Sequence, residues 1–181
     1  RAEWDASKTA SVEAVDTDGD NRPEILSGMG GKPGIQVRDA SGKVLRTIEG
    51  VGEPFTVIRR TGETGGNAIL GSVKGKPLLR VVDCSGARIR ELPVPVAGGR
   101  YPSAVPVTFA PGGESFLAVT LTLSEEKQRS LFAIYDGAGR PVYGEVFPAS
   151  HIAVAAMRDP VTGADTLLLG IGPQVWTIAP K

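Results

Sequence analysis

One short pattern recurs along the chain and limits what it can fold into: a strand-like run ending in Asp, two mostly small residues, then Gly. It reads Ile35-Gln-Val-Arg-Asp39-Ala-Ser-Gly42, Leu79-Arg-Val-Val-Asp83-Cys-Ser-Gly86 and Phe132-Ala-Ile-Tyr-Asp136-Gly-Ala-Gly139, the Asp residues lying 44 and 53 residues apart. Asp at a turn entry accepts hydrogen bonds from backbone N–H groups, and Gly takes the position that needs a positive φ. Each copy therefore predicts a hairpin turn. A fourth copy, Val175-Trp-Thr-Ile-Ala179, follows 43 residues after the third and stops where its turn should begin.

Around each anchor the same order of four strands recurs. First strands are expected at 12–15, 55–58, 104–109 and 152–156, and second strands at 24–27, 68–71, 116–121 and 166–169. Third strands carry the anchors, and fourth strands are expected at 44–48, 88–92 and 142–147. First and second strands are nearly continuous apolar runs, which predicts burial on both faces, whereas later strands alternate more. No stretch combines helical periodicity with capping signals. The prediction is an all-β chain, a single β-propeller domain over 1–181 of four four-stranded antiparallel blades. The repeats are 11–50, 51–97, 98–149 and 150–181, the last completed by 1–8.

That completion follows from the ends. Repeat four lacks a fourth strand, and a spare segment, Ala2-Glu-Trp4-Asp-Ala6, precedes repeat one. Pairing the two leaves no raw sheet edge there. The alternatives are a loose terminus, or four repeats that are half of a larger ring.

Composition narrows function more than fold. The formal net charge is zero, which argues against nonspecific binding to nucleic acid or to acidic membranes. No apolar run reaches transmembrane length, and no basic-then-apolar signal segment opens the sequence. Cys84 is the only cysteine, so an internal disulfide and a multi-cysteine metal site are excluded. It sits in a predicted turn and is assigned no role. A Ser–His–Asp or Cys–His system would have to use His151, the sole histidine, and Cys84 lies in a different repeat.

The chemistry-bearing stretch is Asp16-Thr-Asp18-Gly-Asp20-Asn-Arg22-Pro-Glu24, with carboxylates at positions 1, 3, 5 and 9. Calcium takes six to eight hard oxygen ligands, which this spacing can curl around it, with the Arg22 carbonyl as a further donor. It is not an EF-hand: position 12 is Ser27, position 6 is Asn21, and the flanks read as strands. Four acids within nine residues repel one another without a counter-ion. The alternative is a charged turn without metal.

The run from Val15 to Gly28, with the later Ile-Gln-Val-Arg-Asp-Ala-Ser-Gly-Lys, resembles the FG-GAP/VCBS-type repeats of integrin-like propellers. The resemblance implies that the loop joins the first two strands of a blade and binds Ca²⁺ through Asp16, Asp18, Asp20 and Glu24. The match is close in repeat one alone. Repeat two has Arg60–Asn67, repeat three Ala110–Glu114 and repeat four Asp159–Asp165, and their acid spacing has decayed, so one calcium is expected. Asp159 and Asp165 are left between a weak second site and an ordinary turn. The family resemblance also implies an extracellular, cell-surface or periplasmic interaction module.

In an up-and-down blade the second–third loops and the blade-to-blade loops lie opposite the acidic loop. They gather Lys8, Lys32, Lys74, Lys76, Arg100, Tyr101, Lys127 and Arg129, and include the two longest expected insertions, Pro95–Ser103 and Ser124–Ser130. Long loops on a rigid scaffold are where binding concentrates. Lys32, Lys74, Lys76, Arg100 and Tyr101 are the candidate ligand-binding residues, against the alternative of solvated loop charges. The functional expectation is a non-catalytic calcium-binding module, monomer or homodimer, for a protein partner first and a glycan second. An enzyme, or an accessory domain of a carbohydrate-active enzyme, is the alternative.

Overall fold

The turns set the architecture. Asp39 Oδ1 accepts from Ser41 N–H (2.9 Å), Ser41 Oγ (2.6 Å) and Lys43 N–H (3.1 Å). Asp83 Oδ1 repeats this with Ser85 N–H, Ser85 Oγ and Ala87 N–H at 2.8, 2.6 and 2.9 Å. Asp136 Oδ1 takes Ala138 N–H and Arg140 N–H at 2.9 and 2.8 Å. In all three turns the Gly N–H closes back on the Asp carbonyl, with φ of 86°, 94° and 85° at Gly42, Gly86 and Gly139. The ladder shifts register at the same place in each, at Val37/Arg38, Val81/Val82 and Ile134/Tyr135. A turn followed by a Gly bulge is the three-residue hairpin loop that matches strand twist.

A computed structural model describes residues 11–28, 34–58, 66–95, 99–124 and 126–179, apart from the side chain of Tyr101. The chain is all-β, in four antiparallel sheets with strands in chain order. The first sheet holds β1 (Val12–Val15), β2 (Glu24–Gly28), β3 (Ile35–Arg38) and β4 (Val44–Ile48). The second holds β5 (Gly52–Ile58), β6 (Ala68–Ser72), β7 (Leu78–Asp83) and β8 (Arg88–Pro93). The third holds β9 (Arg100–Val107), β10 (Phe116–Ser124), β11 (Arg129–Tyr135) and β12 (Pro141–Phe147). The fourth has three described strands, β13 (Ile152–Arg158), β14 (Asp165–Ile171) and β15 (Gln174–Ile178). The segment expected to complete it, Ala2–Ala6 with Trp4, lies outside the described residues.

The chain divides into two compact units, Arg1–Gly98 with the first two sheets and Gly99–Lys181 with the last two. The core of the first is Val15, Leu26, Ile35, Val37, Ile48, Val51, Phe55, Ile69 and Val82. That of the second is Val107, Ala118, Phe132, Ile134, Phe147, Ile152, Leu167 and Leu169. Side chains two apart on a strand share a face, which is why Ile35 and Val37, or Leu167 and Leu169, enter the same core.

Two expectations change. First strands are not buried on both faces: Val12 is 54% and Met157 59% exposed, because each first strand is a sheet edge with one hydrogen-bonded neighbour. The most covered strands are the inner ones, such as β6 and β11. The insertions Pro95–Ser103 and Ser124–Ser130 also shrink, since β9 already begins at Arg100 and β10 runs to Ser124. Register shifts between Thr120 and Thr122, and between Thr122 and Ser124, carry the ladders past the point where the apolar pattern stops.

In the second unit a buried acid joins the two sheets. Asp165, 4% exposed, accepts from Thr108 N–H at 2.7 Å and returns its own N–H to the Thr108 carbonyl at 2.8 Å. Arg158 Nε and Nη2 hold the same carboxylate at 2.9 and 3.1 Å. The Arg158 bonds, with help from Thr108 N–H, keep Asp165 below the usual carboxylate range despite its burial. A depressed carboxylate contributes its stability above the unfolded pKa and loses it as pH falls through the folded one. Asp165→Ala, which leaves the Thr108 N–H without its acceptor, should cost about 1–3 kcal/mol at neutral pH. Thermal melts at a series of pH values should show that gap narrowing below about pH 4; a gap that stays constant into acid contradicts this account.

Candidate functional site

Between β1 and β2 the chain winds around its own carboxylates. Asp16 Oδ1 accepts from Gly19 N–H (2.6 Å) and Asp18 N–H (3.2 Å), and Oδ2 accepts from Asn21 N–H (2.9 Å). Asp18 Oδ1 takes Asp20 N–H at 3.2 Å, and Asp20 Oδ1 takes Arg22 N–H at 2.7 Å. This curl puts Gly19 and Asn21 at φ of 86° and 65°, the left-handed region that Gly and Asn tolerate. The Gly19 N–H leads the bonds that hold Asp16 below its ordinary pKa.

The winding brings one oxygen each from Asp16, Asp18 and Glu24 within 4.8 Å of one another. Oxygens that share a calcium ion at 2.3–2.6 Å lie at most about 5 Å apart, so the trio fits that span. Glu24 reaches it from the first residue of β2 and is buried, 8% exposed, with Oε2 accepting from both Thr17 N–H (2.8 Å) and Thr17 Oγ (2.7 Å). Asp20 is outside the trio, exposed, with its carboxylate facing the Arg22 N–H. Three of the four sequence-predicted acids therefore converge.

Sequence reasoning missed the residues that moor this loop to the second sheet of the same unit. Asn67 Nδ2 donates to the Asp16 carbonyl at 3.0 Å. Arg46 Nη2 donates to Thr17 Oγ at 2.9 Å and to the Cys84 carbonyl at 3.0 Å. Cys84, buried in the β7–β8 turn, points its Sγ at the Asn67 carbonyl, 3.3 Å away. Burial pushes this thiol up, offset in part by the Arg46 charge. No local pattern marks Asn67, Arg46 and Cys84, since the contacts join positions 17 to 51 apart in the chain.

The corresponding loops elsewhere are built differently. Asp159 caps its own turn through Val161 N–H (2.8 Å) and Thr162 Oγ (2.8 Å), while Asp165 belongs to the Arg158 pair. Glu114 Oε1 accepts from Gly137 N–H at 3.2 Å. Residues 59–65 of repeat two lie outside the described residues. Asp159 also borders a shallow groove of about 450 Å³ beside Phe109 and Pro111.

Of the basic candidates, Lys74 and Lys76 are exposed on the β6–β7 turn, where Lys76 N–H donates to the Val73 carbonyl at 3.0 Å. Arg100 is exposed but opens β9 opposite Thr122, and Tyr101 follows it in the strand, so neither sits in a loop as expected. Lys32 lies outside the described residues. His151 Nδ1 is 3.3 Å from Thr122 Oγ.

No family model matches the chain, and no curated protein does. Among solved structures, a crystal structure of BBS1N in complex with ARL6DN, soaked with lead, is similar at 8% identity and a TM-score of 0.45. A crystal structure of a protein of unknown function from Bacteroides caccae is similar at 13% identity and a TM-score of 0.43. The matches cover 94% and 87% of this chain but span only 65% and 58% of those chains.

The loop geometry ranks its acids before any ion is added. Asp16 accepts three backbone N–H groups and Asp20 one, so Asp16→Ala should lower the melting temperature in chelator-treated buffer more than Asp20→Ala does. Differential scanning fluorimetry of both variants checks the order; equal melting temperatures would show that the curl does not depend on Asp16.

Proposed function

We propose that the chain is a non-catalytic, calcium-stabilised β-propeller module that binds a protein partner, with a glycan second, in an extracellular, cell-surface or periplasmic setting. The observation that carries the reading is the convergence of Asp16, Asp18 and Glu24 at the β1–β2 loop. These residues would hold the ion, which supplies the positive charge that lets three carboxylates share one site. Few acidic ligands on a largely exposed loop favour affinities in the range of about 10⁻⁴–10⁻³ M, the range of extracellular modules. The resemblance to FG-GAP/VCBS-type repeats points the same way.

The partner surface is sought away from the acidic loop. In the second sheet the Lys74–Lys76 turn lies at the opposite end of β7 from Cys84, to which that loop is moored. Two exposed lysines on a tight turn suit an acidic patch on a protein, or the carboxylates of a glycan.

The finer fold reading is four blades closed by the first residues. The exposure of β15 supports it: Val175 is 72% and Trp176 49% exposed, whereas the third strands β3, β7 and β11 are largely buried. A strand laid beside β15 would cover what β4, β8 and β12 cover in the other sheets.

Calorimetry on chelator-stripped protein should show about one calcium site, weakened by Asp18→Asn, with Mg²⁺ a poor substitute because it demands tight octahedral geometry. The absence of both binding heat and a melting shift in millimolar calcium would falsify the metal reading. Deleting residues 1–8 should lower the melting temperature sharply or cause dimerisation through the β15 edge, which light scattering reports. A truncated chain that melts with the parent and stays monomeric rules out closure by this segment.

A further inference from the structure

We propose that the groove between the β9–β10 and β13–β14 loops receives a basic side chain of a protein partner, with Asp159 as its counter-charge. The groove belongs wholly to the second unit and depends neither on the calcium reading nor on the Lys74–Lys76 turn.

At about 450 Å³ the groove is at the small end of the range for ligand sites, which suits a side chain and its flanking residues rather than a folded element. Its walls are mainly apolar: Phe109, Ala110 and Pro111 from one loop, Ala164 from the other, and Ala179 after β15. The two walls are tied to each other. Thr108, next to Phe109, donates its N–H to Asp165 Oδ2 (2.7 Å) and accepts the Asp165 N–H at its carbonyl (2.8 Å). Each loop is also closed on itself, by Gly113 N–H on the Ala110 carbonyl (2.9 Å) and Gly163 N–H on the Asp159 carbonyl (2.8 Å). Phe109 is braced by the Phe116 ring, 5.8 Å away between centroids. Walls formed in advance spare binding the cost of ordering them.

Asp159 is the one charged residue among the described lining residues. The adjacent Arg158 gives Nε and Nη2 to Asp165, and among the described residues no cation pairs with Asp159. Its own turn holds the carboxylate, with Val161 N–H on Oδ1 (2.8 Å) and Thr162 Oγ on Oδ2 (2.8 Å). Those bonds, the Val161 N–H first, keep Asp159 below the usual carboxylate range, so it is charged at neutral pH. A carboxylate oxygen can accept two bonds, which leaves Oδ2 a place for an incoming N–H.

An apolar trough ending at an anion matches lysine and arginine, which lay an aliphatic stem on apolar surface and keep the charged head at its edge. Arginine fits better than lysine, because its planar fork suits a carboxylate and its face suits an aromatic ring such as Phe109. A neutral glycan has no charge to offer Asp159.

The test titrates the isotope-labelled full chain, in chelator, with the capped tripeptide acetyl-Leu-Arg-Leu-amide and follows backbone amide shifts. Saturable shifts should centre on Ala110, Thr162 and Ala164. The same peptide with citrulline for arginine, alike in shape but uncharged, should bind about fivefold more weakly, the upper end for an exposed ion pair. Asp159→Asn keeps an acceptor for the turn, since Asn makes the same local bonds, and should erase that difference. In the parent chain, added salt should weaken the arginine peptide and leave the citrulline peptide unchanged, a check that needs no variant. Shifts that do not saturate in millimolar peptide, or that fall outside the groove, overturn the site. Equal binding of the two peptides to the parent, or an arginine preference that survives Asp159→Asn, overturns the role of Asp159. Markedly tighter binding once Pro180 and Lys181 are removed assigns the groove to the chain's own end and overturns the partner.

Discussion

The fold depends on one interaction, a short acidic side chain accepting the backbone N–H groups that a turn leaves without a ladder partner. A buried or half-buried N–H without an acceptor is costly, and a hairpin turn produces several. Asp39, Asp83 and Asp136 each resolve this with a single carboxylate oxygen shared by two N–H groups. The side-chain bonds to Ser41 and Ser85, and the backbone bonds at the Asp136 turn, lead the effects that depress these three carboxylates. The Gly bulge that follows sets the register in which the outer strand is added.

The acidic loop extends the same device. Where the hairpin turns use one Asp, the β1–β2 loop uses Asp16, Asp18 and Asp20 in succession, each capping the backbone ahead of it. One oxygen each from Asp16, Asp18 and Glu24 nevertheless lies within 4.8 Å of the other two. The loop therefore holds its shape through its own backbone, and a cation would be added to a site already curled.

Each unit also ties its two sheets together with polar groups near the loops, and the two do so differently. In the second unit a buried ion pair does it, with Asp165 reaching the Thr108 N–H of the preceding sheet. In the first, neutral groups and one arginine do it, through Asn67, Thr17, Arg46 and the Cys84 carbonyl. An ion pair between fixed partners responds to acid. Apolar packing alone, as in the core that includes Leu26 and Val82 or the one that includes Phe132 and Leu167, carries no such dependence.

The sequence by itself determined what is local and repeated. The three turns, the order of strands and most strand positions were legible because an Asp, a Gly and alternating apolar residues act within a few positions of one another. Val12–Val15 and Val44–Ile48 are strands at the predicted limits, and Asp16, Asp18 and Glu24 were legible as partners because one loop holds them. Tertiary structure decided what depends on distant neighbours. Edge strands with apolar sequences stay exposed because covering a face requires another element, which periodicity does not report. Arg100 and Tyr101 became strand residues because ladder pairing past a bulge outweighs a polar local sequence. Asp20, whose carboxylate accepts from the Arg22 N–H, fell outside the trio. Cys84, Asn67 and Arg46 came together only because the first two sheets share one core and meet through hydrogen bonds between residues up to 51 positions apart, and no spacing rule along the chain encodes such a contact.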